Sequence, residues 1–196
     1  MEPGTEIFLK SVRAICPDLT ETDLSQFASR LASKELKKRD IFLQAGKVQN
    51  AIGFITKGLI RSFFIDQEGN DITVGFYSEG DYATHYASFI MQKPSRYSIQ
   101  CLEHTSIVCL SFKEMQLSYQ QSVGFEKYGR LIAEKILNRQ QARIESFIFQ
   151  TAEERYLDFI EHHPTLYNRV SLSLLCSYLG IERQTLTRIR QRLAQK

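Results

Sequence analysis

The sequence contains no run approaching the roughly 20 apolar residues that a membrane-spanning helix needs. Residues 1–9 include Glu2 and Glu6 and have no apolar segment, which does not fit a secretory signal. We therefore expect a cytoplasmic protein. Of its 196 residues, 43% are hydrophobic and 24% are charged, a balance that allows an ordinary globular core.

Cysteine is scarce and scattered. The chain has only Cys16, Cys101, Cys109 and Cys176, and no two of them form a Cys-x-x-Cys pair. An iron–sulfur cluster needs grouped thiolates, and disulfides are rare in the cytoplasm. We expect four reduced, half-buried thiols, no metal and no cofactor. A cluster or a thiol sensor is the alternative interpretation.

The net charge is only +3, but the positive charge is concentrated near the C-terminus. Residues 181–196 contain five basic side chains against the single acid Glu182. A local excess of positive charge of this kind favours a polyanionic partner, whereas the small total charge indicates little about partners.

The first half of the chain has a β texture. Short segments rich in β-branched and aromatic residues, separated by turn signals, cover residues 41–43, 53–55, 59–65, 72–77 and 106–110. Such a series predicts a closed or double-layered antiparallel roll. A helix is predicted before it, over residues 20–37, with Thr20 as its cap and Asp23 three residues on.

From residue 112 the pattern becomes helical. Ser111 with Glu114 predicts the start of one helix, Thr151 with Glu154 another, and a long helix is predicted over residues 125–149. One face of the long helix is apolar and is the predicted dimer face; a helix lying on its own roll is the alternative. That face consists of Phe125, Tyr128, Ile132 and Ile136.

The C-terminal segment predicts two short amphipathic helices joined at Gly180. Leu172, Leu175, Cys176 and Leu179 follow the i, i+3, i+4, i+7 spacing of one helix face. In the second helix Leu186, Ile189 and Leu193 follow the spacing i, i+3, i+7. Two such helices with glycine between them are typical of a helix-turn-helix.

The opposite face of the second helix is polar. It carries Arg183, Gln184, Thr187, Arg188 and Gln191. Arg matches guanine O6 and N7, and Gln matches adenine N6 and N7, in a major groove. Thr185 and Ser173, near the helix starts, are candidates for phosphate bonds. The alternative is a solvated basic helix packed on its own domain.

Roll, long helix and helix-turn-helix together resemble the Crp/Fnr family of bacterial transcription regulators, the catabolite activator type. Residues 177–188, Ser-Tyr-Leu-Gly-Ile-Glu-Arg-Gln-Thr-Leu-Thr-Arg, resemble its recognition motif, and residues 53–61 resemble a hairpin of its roll. The resemblance implies an α+β fold: a cyclic-nucleotide-binding-like antiparallel β-roll (jelly roll) with N-terminal helices over 1–121, a long dimerisation helix over 122–149, and a DNA-binding domain over 150–196.

The same resemblance implies an effector pocket, a loop that opens with Gly-Glu-x-Gly and ends near an Arg-Ser pair. This chain offers Gly80, Asp81 and Tyr82, and then Arg96 and Ser98. The second glycine is missing, and matching Ser98 displaces Arg96 by one residue, which in a strand turns its side chain to the other face. We expect an effector other than cyclic AMP.

The implied partners are double-stranded DNA, a second copy of the chain and RNA polymerase. A metal-dependent enzyme on a roll would need His-x-His spacing, and His85, His104, His162 and His163 do not provide it in the roll. We therefore expect no enzyme and no catalytic residue. A ligand-sensing roll without a DNA role is the remaining alternative.

Overall fold

The computed structural model describes residues 2–195, which form eight helices and eight strands. The helices are α1 (Pro3–Ile15), α2 (Glu21–Ala28), α3 (Tyr86–Met91), α4 (Phe112–Gln121), α5 (Val123–Phe149), α6 (Ala152–His162), α7 (Leu172–Leu179) and α8 (Arg183–Leu193). The strands are β1 (Leu31–Leu36), β2 (Ile41–Leu43), β3 (Ala51–Lys57), β4 (Ile60–Ile65), β5 (Asp71–Tyr77), β6 (Tyr82–Ala83), β7 (Ser98–Cys101) and β8 (Thr105–Ser111).

The strands form two four-stranded antiparallel sheets, ordered β1-β8-β3-β6 and β2-β7-β4-β5. Side chains alternate between the two faces of a strand. In β3, Ile55 therefore points to the core between the sheets, whereas Ile52 and Phe54 point outward. The antiparallel roll and the α+β fold class predicted from the sequence are confirmed.

A cluster of buried apolar residues, called the outer cluster below, covers the outer face of the sheet β1-β8-β3-β6. Phe54, Tyr82 and Val108 pack there against α1, α2, α4 and the first half of α5. The aromatic rings of Phe27 in α2 and Phe125 in α5 stack with their centroids 4.4 Å apart. The roll therefore has two apolar layers, one inside it and one beneath the helices.

The helix predicted over residues 20–37 is wrong in its second half. Thr20 and Asp23 do form a reciprocal capping box, but the helix ends at Ala28, and β1 follows and pairs with β8 from Leu31 to Leu36. Pairing with β8 is a long-range interaction that outweighs local helix propensity. The preceding helix α1 is one of the N-terminal helices that the resemblance implied, although no residue range was predicted for it.

The face of α5 predicted to form a dimer seam packs inside the protomer. Phe125, Tyr128 and Ile132 are each less than 7% exposed, and Ile136 contacts the same outer cluster. The hydroxyl groups of Tyr128 and Tyr82 are hydrogen-bonded. These four residues therefore follow the alternative interpretation, a helix lying on its own roll.

Candidate nucleic-acid interface

Helices α7 and α8 form the predicted helix-turn-helix. Ser171 caps α7 by accepting a hydrogen bond from the backbone N–H of Leu174. Gly180 follows with φ +66, and a Cβ atom there would lie 2.8 Å from the Phe147 ring. Glycine is thus required both for the left-handed backbone and for the close approach of α5.

Helix α8 is anchored by one apolar face. Leu186 and Ile189 are 2% and 3% exposed and pack against Leu175 and Leu179 of α7 in one core cluster. The helix begins after Glu182, whose side chain makes no capping hydrogen bond. This burial fixes the orientation of α8 and turns its opposite face to solvent.

The arginines of α8 divide into two groups. Arg190 donates to the Tyr156 hydroxyl at 3.0 Å and lies near the Tyr167 ring, and Arg192 pairs with Glu153 at 2.9 Å. By contrast, within residues 2–195 the side chains of Arg183 and Arg188 make no hydrogen bond or ion pair. The second group is therefore available to an external anion or base.

The remaining predicted contact residues lie near this exposed face. Gln184, Thr187 and Gln191 are exposed, while Thr185 is half-buried in the first turn of α8. Ser173 is exposed in the first turn of α7, one turn ahead of the buried Cys176. The structure thus presents the predicted polar face as one solvent-facing surface of α8.

The helix-turn-helix is fixed to the roll through α7. The Ser177 hydroxyl accepts a hydrogen bond from the Thr73 backbone N–H at 2.9 Å and donates to the Asp71 carbonyl at 3.1 Å. The Arg143 guanidinium of α5 lies 3.8 Å from the Tyr178 ring centroid and donates to the Tyr178 carbonyl. Sequence patterns gave no signal for these contacts, because their partners are distant along the chain.

A second tie links the loop before α7 to the roll. Arg169 makes a two-pronged bond to the Glu79 carboxylate, with both N···O distances 3.0 Å, and a further bond to Glu103 at 2.6 Å. Burial alone would raise the pKa of Glu79, but hydrogen bonds from Arg169 and the backbone N–H groups of Glu79 and Gly58 outweigh it and lower that pKa from 4.5 to about 2.

This tie predicts an acid-dependent loss of stability. Since the pKa of Glu79 is lower in the folded state, its contribution is complete above about pH 4.5 and disappears as the pH falls towards 2. Glu79→Gln should therefore lower the free energy of unfolding at neutral pH by about 1 kcal/mol, because the carboxylate is partly screened by solvent.

Between about pH 5 and pH 3 the Glu79→Gln variant should then lose less stability than the wild type. Urea unfolding at a series of pH values measures this. Glu161→Gln, at an exposed carboxylate, is the matched control. Parallel stability curves for Glu79→Gln and wild type across this range would contradict the assignment.

The structure does not bring the five predicted effector residues together. Gly80 lies in the turn between β5 and β6 with φ +85, and Asp81 pairs with Arg139 of α5 at 3.1 Å. Tyr82 faces the outer cluster, Arg96 is exposed, and Ser98 accepts a hydrogen bond from the Ala45 N–H. The described contacts of Gly80, Asp81, Tyr82, Arg96 and Ser98 thus do not join them into the predicted pocket.

Comparison with known proteins identifies the same architecture. Residues 33–122 match the cyclic nucleotide-binding domain family. The anaerobic regulatory protein of Pasteurella multocida is 28% identical over 199 residues, covering 93% of this chain and 71% of that protein. Both matches agree with the resemblance to Crp/Fnr regulators that the sequence indicates.

Solved structures share the fold of this chain. FixK2 from Bradyrhizobium japonicum superposes with a TM-score of 0.74 at 14% identity, covering 84% of this chain and 85% of that one. A putative Crp/Fnr regulator from Eubacterium rectale gives 0.69 at 16% identity, with 91% and 85% covered. At such low identities these likenesses show the fold alone.

The loop between β6 and β7 is filled by its own side chains. Ser95 is 3% exposed, and its hydroxyl bonds to His85 Nδ1 at 2.8 Å and accepts from the Tyr97 N–H at 3.0 Å. The Tyr97 ring packs edge-on against His85. Burial lowers the pKa of His85, which favours a neutral imidazole. The interior of the loop, around His85 and Ser95, therefore presents no cation to an anionic ligand, and Arg96 of the same loop is exposed.

The described residues show how the potential metal ligands and the four cysteines are placed. Among residues 2–195 no group of three or more His, Cys, Asp or Glu is placed to hold a metal ion. All four cysteines are buried and free, and burial raises the pKa of each thiol, that of Cys109 to about 11. Over the same described residues no helix is long and apolar enough to cross a membrane.

Proposed function

We propose that the protein is a sequence-specific DNA-binding transcription regulator that acts in the cytoplasm and communicates with RNA polymerase. The observation that carries this proposal is the difference between the two pairs of arginines on α8. Arg190 and Arg192 are used within the domain, whereas Arg183 and Arg188 are exposed and make no hydrogen bond or ion pair within residues 2–195. The regulatory relatives support the same function.

The roles of the side chains follow from their chemistry. Arg183 and Arg188 are assigned to guanine edges and Gln184 to an adenine edge, with Thr187 beside them on the exposed face of α8. Thr185 and Ser173, in the first turns of α8 and α7, are assigned to phosphates. Base contacts would then determine which DNA sequence is bound, and phosphate contacts would fix the register of the protein on the duplex.

The proposed assembly is a homodimer with its seam on the second half of α5. Leu137, Ile144 and Ile148 are 62%, 60% and 65% exposed, and with Gln141 they follow the 4-3-4 spacing of a coiled-coil face. This face replaces the one predicted from the sequence. We retain the division into a roll with N-terminal helices (1–121), a dimerisation helix (122–149) and a DNA-binding domain (150–196).

A two-fold dimer would place two recognition helices in successive major grooves about 34 Å apart. The operator is then an inverted repeat whose half-sites lie one helical turn apart. Selection of bound DNA from a random pool, with and without cell extract, tests the function. Enrichment of an inverted repeat is expected, and failure to enrich any sequence under either condition would overturn the proposal.

Cyclic AMP should bind weakly or not at all. A cyclic phosphate carries one negative charge and requires converging donors, but Arg96 is exposed and the loop interior is bonded to itself through Ser95. The absence of one charge-assisted bond in a buried pocket costs about 1.5–3 kcal/mol, which is roughly ten- to a hundred-fold in affinity.

Titration calorimetry of the purified protein with cyclic AMP measures this. Tyr97→Arg, which restores a guanidinium next to Ser98, is the informative companion variant. A dissociation constant for wild type in the low micromolar range, with tighter operator binding when the nucleotide is present, would show the prediction to be wrong.

A further inference from the structure

The turn between β1 and β2 carries three consecutive basic residues. Lys37, Lys38 and Arg39 are all exposed there, and this segment is called the basic turn below. Within residues 2–195 none of the three side chains makes a hydrogen bond or an ion pair. The basic turn therefore presents three positive charges to solvent, and the assignments made above give them no role.

The carboxylates next to the basic turn are engaged elsewhere. Asp40 accepts a hydrogen bond from the Lys37 backbone N–H at 2.8 Å. A carboxylate oxygen of Glu35 lies 3.4 Å from His104 Nε2, and Glu103 belongs to the tie between the roll and the loop before α7. None of these acids is paired with a side chain of the basic turn. The turn can therefore attract an external polyanion.

The backbone of the basic turn is held in one conformation. Arg39 has φ +76, a left-handed conformation that is uncommon for residues other than glycine. Two hydrogen bonds fix it, from the Arg39 N–H to the Cys101 carbonyl at 2.8 Å and from the Cys101 N–H to the Asp40 carbonyl at 2.9 Å. Because the turn is ordered by the fold itself, a partner would bind it at little cost in backbone entropy.

The basic turn lies at the end of the roll to which the helix-turn-helix is tied. Strand β1 ends where Leu36 pairs with Thr105, at the start of β8. Two residues before that start, Glu103 binds Arg169 at 2.6 Å, and Ser171, the cap of α7, follows Arg169 by two residues. A two-residue step spans at most about 7 Å. A short path of bonded residues therefore connects the basic turn to the first turn of α7.

DNA is the polyanion that best fits this position. Ser173 in the first turn of α7 is assigned to a phosphate, so an operator bound there would pass close to this end of the roll. A duplex carries one negative charge for about every 1.7 Å of its axis, and the charge continues beyond the half-site. An acidic protein segment would also attract the basic turn, but nothing in the fold places such a segment beside it.

We propose that the basic turn binds the phosphate backbone of the DNA that flanks each operator half-site. Lys37, Lys38 and Arg39 supply the charges. Such a contact strengthens binding without reading the base sequence. The proposal rests on the proposed DNA-binding function and extends the protein–DNA interface from the helix-turn-helix to the roll.

Gel-shift titration of the full chain on two duplexes tests the contact. One duplex covers the inverted repeat in about 20 base pairs, and the other adds about one helical turn of arbitrary sequence on each side. Wild type should bind the longer duplex roughly ten-fold more tightly. The triple variant Lys37→Gln, Lys38→Gln, Arg39→Gln should lose this preference and bind the shorter duplex within about two-fold of wild type. On the longer duplex its slope of log affinity against log salt should be smaller by about 2 or more.

Two further variants separate position from total charge and from folding. The matched control replaces three exposed lysines at the opposite end of the roll with glutamine and should keep the preference for the longer duplex; these are Lys47, Lys93 and Lys113. The variant Lys37→Gln, Lys38→Gln, Arg39→Gly should lose the preference as the first triple variant does. Glycine adopts the left-handed backbone readily, so strain at this position would not explain that loss.

A wild type that binds both duplexes equally, or a triple variant that still prefers the longer one, would overturn the flanking contact. Equal loss of the preference in the matched control would overturn it as well, because the effect would then follow total charge. Failure of the wild type to select any operator would instead count against the proposed function. The salt slope on a random-sequence duplex would still test the basic turn, and it should be smaller in the triple variant than in the control.

Discussion

Replacing Leu137 and Ile144 with glutamate should convert the proposed dimer into monomers. Both side chains are about 60% exposed in the protomer, so the substitutions leave its own core intact. Burial of one such side chain is worth roughly 1.5–3 kcal/mol. Four of them meet in a symmetric pair, so the loss is on the order of 6 kcal/mol, about ten-thousand-fold in the dimer dissociation constant.

Sedimentation velocity and gel-shift titration on the selected operator measure this pair of effects. The double variant should sediment as a monomer at micromolar concentration and bind the inverted repeat at least a hundred-fold more weakly. Ile65→Glu with Met91→Glu, at two exposed apolar side chains outside α5, is the matched control. A double variant that remains dimeric would place the seam elsewhere.

Substituting alanine for Arg183 or Arg188 should cost about 1–3 kcal/mol on the preferred operator, roughly five- to more than a hundred-fold in affinity. Each side chain is exposed and without an internal hydrogen bond or ion pair in the described chain, so stability should be unaffected. Specificity should relax at one base position for each variant. Gln184→Ala should do the same at an adenine.

Arg192→Ala is the control for base reading, because it removes an exposed charge of the same helix on a different side. It should weaken operator and random DNA by similar small factors, as should Thr185→Val and Ser173→Ala at the assigned phosphate contacts. If Arg183→Ala and Arg188→Ala also weakened both DNAs equally, the recognition surface would be misassigned. Binding should be compared at one fixed salt concentration.

Local signals allowed much of this fold to be predicted. The capping boxes at Thr20 and Thr151 are present, and the glycine turn between α7 and α8 lies at Gly180. Each depends on residues only a few positions apart, so the sequence displays them directly. The strand β1 was missed because its formation depends on β8, whose paired residues lie 69 to 79 positions further along the chain.

The long helix shows a different limit. Its apolar periodicity revealed one face, Phe125 to Ile136, but periodicity does not tell which surface that face covers. In the structure that face packs into the outer cluster. The exposed apolar residues of α5 lie further along the helix, at Leu137, Ile144 and Ile148. The prediction of the effector loop has a related limit. It matched Gly80 and Ser98 to a family pattern, and such a match does not show where the strands begin and end.

The two hydrogen bonds between Ser177 and β5 restrict how such a protein can be rebuilt. Ser177 lies inside the recognition motif, yet its hydroxyl is committed to the Thr73 and Asp71 backbone of the roll. A chimaera that takes its DNA-binding segment from another regulator would therefore need a side chain at this position that both accepts and donates. Serine and threonine meet that requirement, while alanine would remove both of these bonds to β5. A graft that changes the operator preference should therefore keep a hydroxyl at position 177, although this side chain faces the roll.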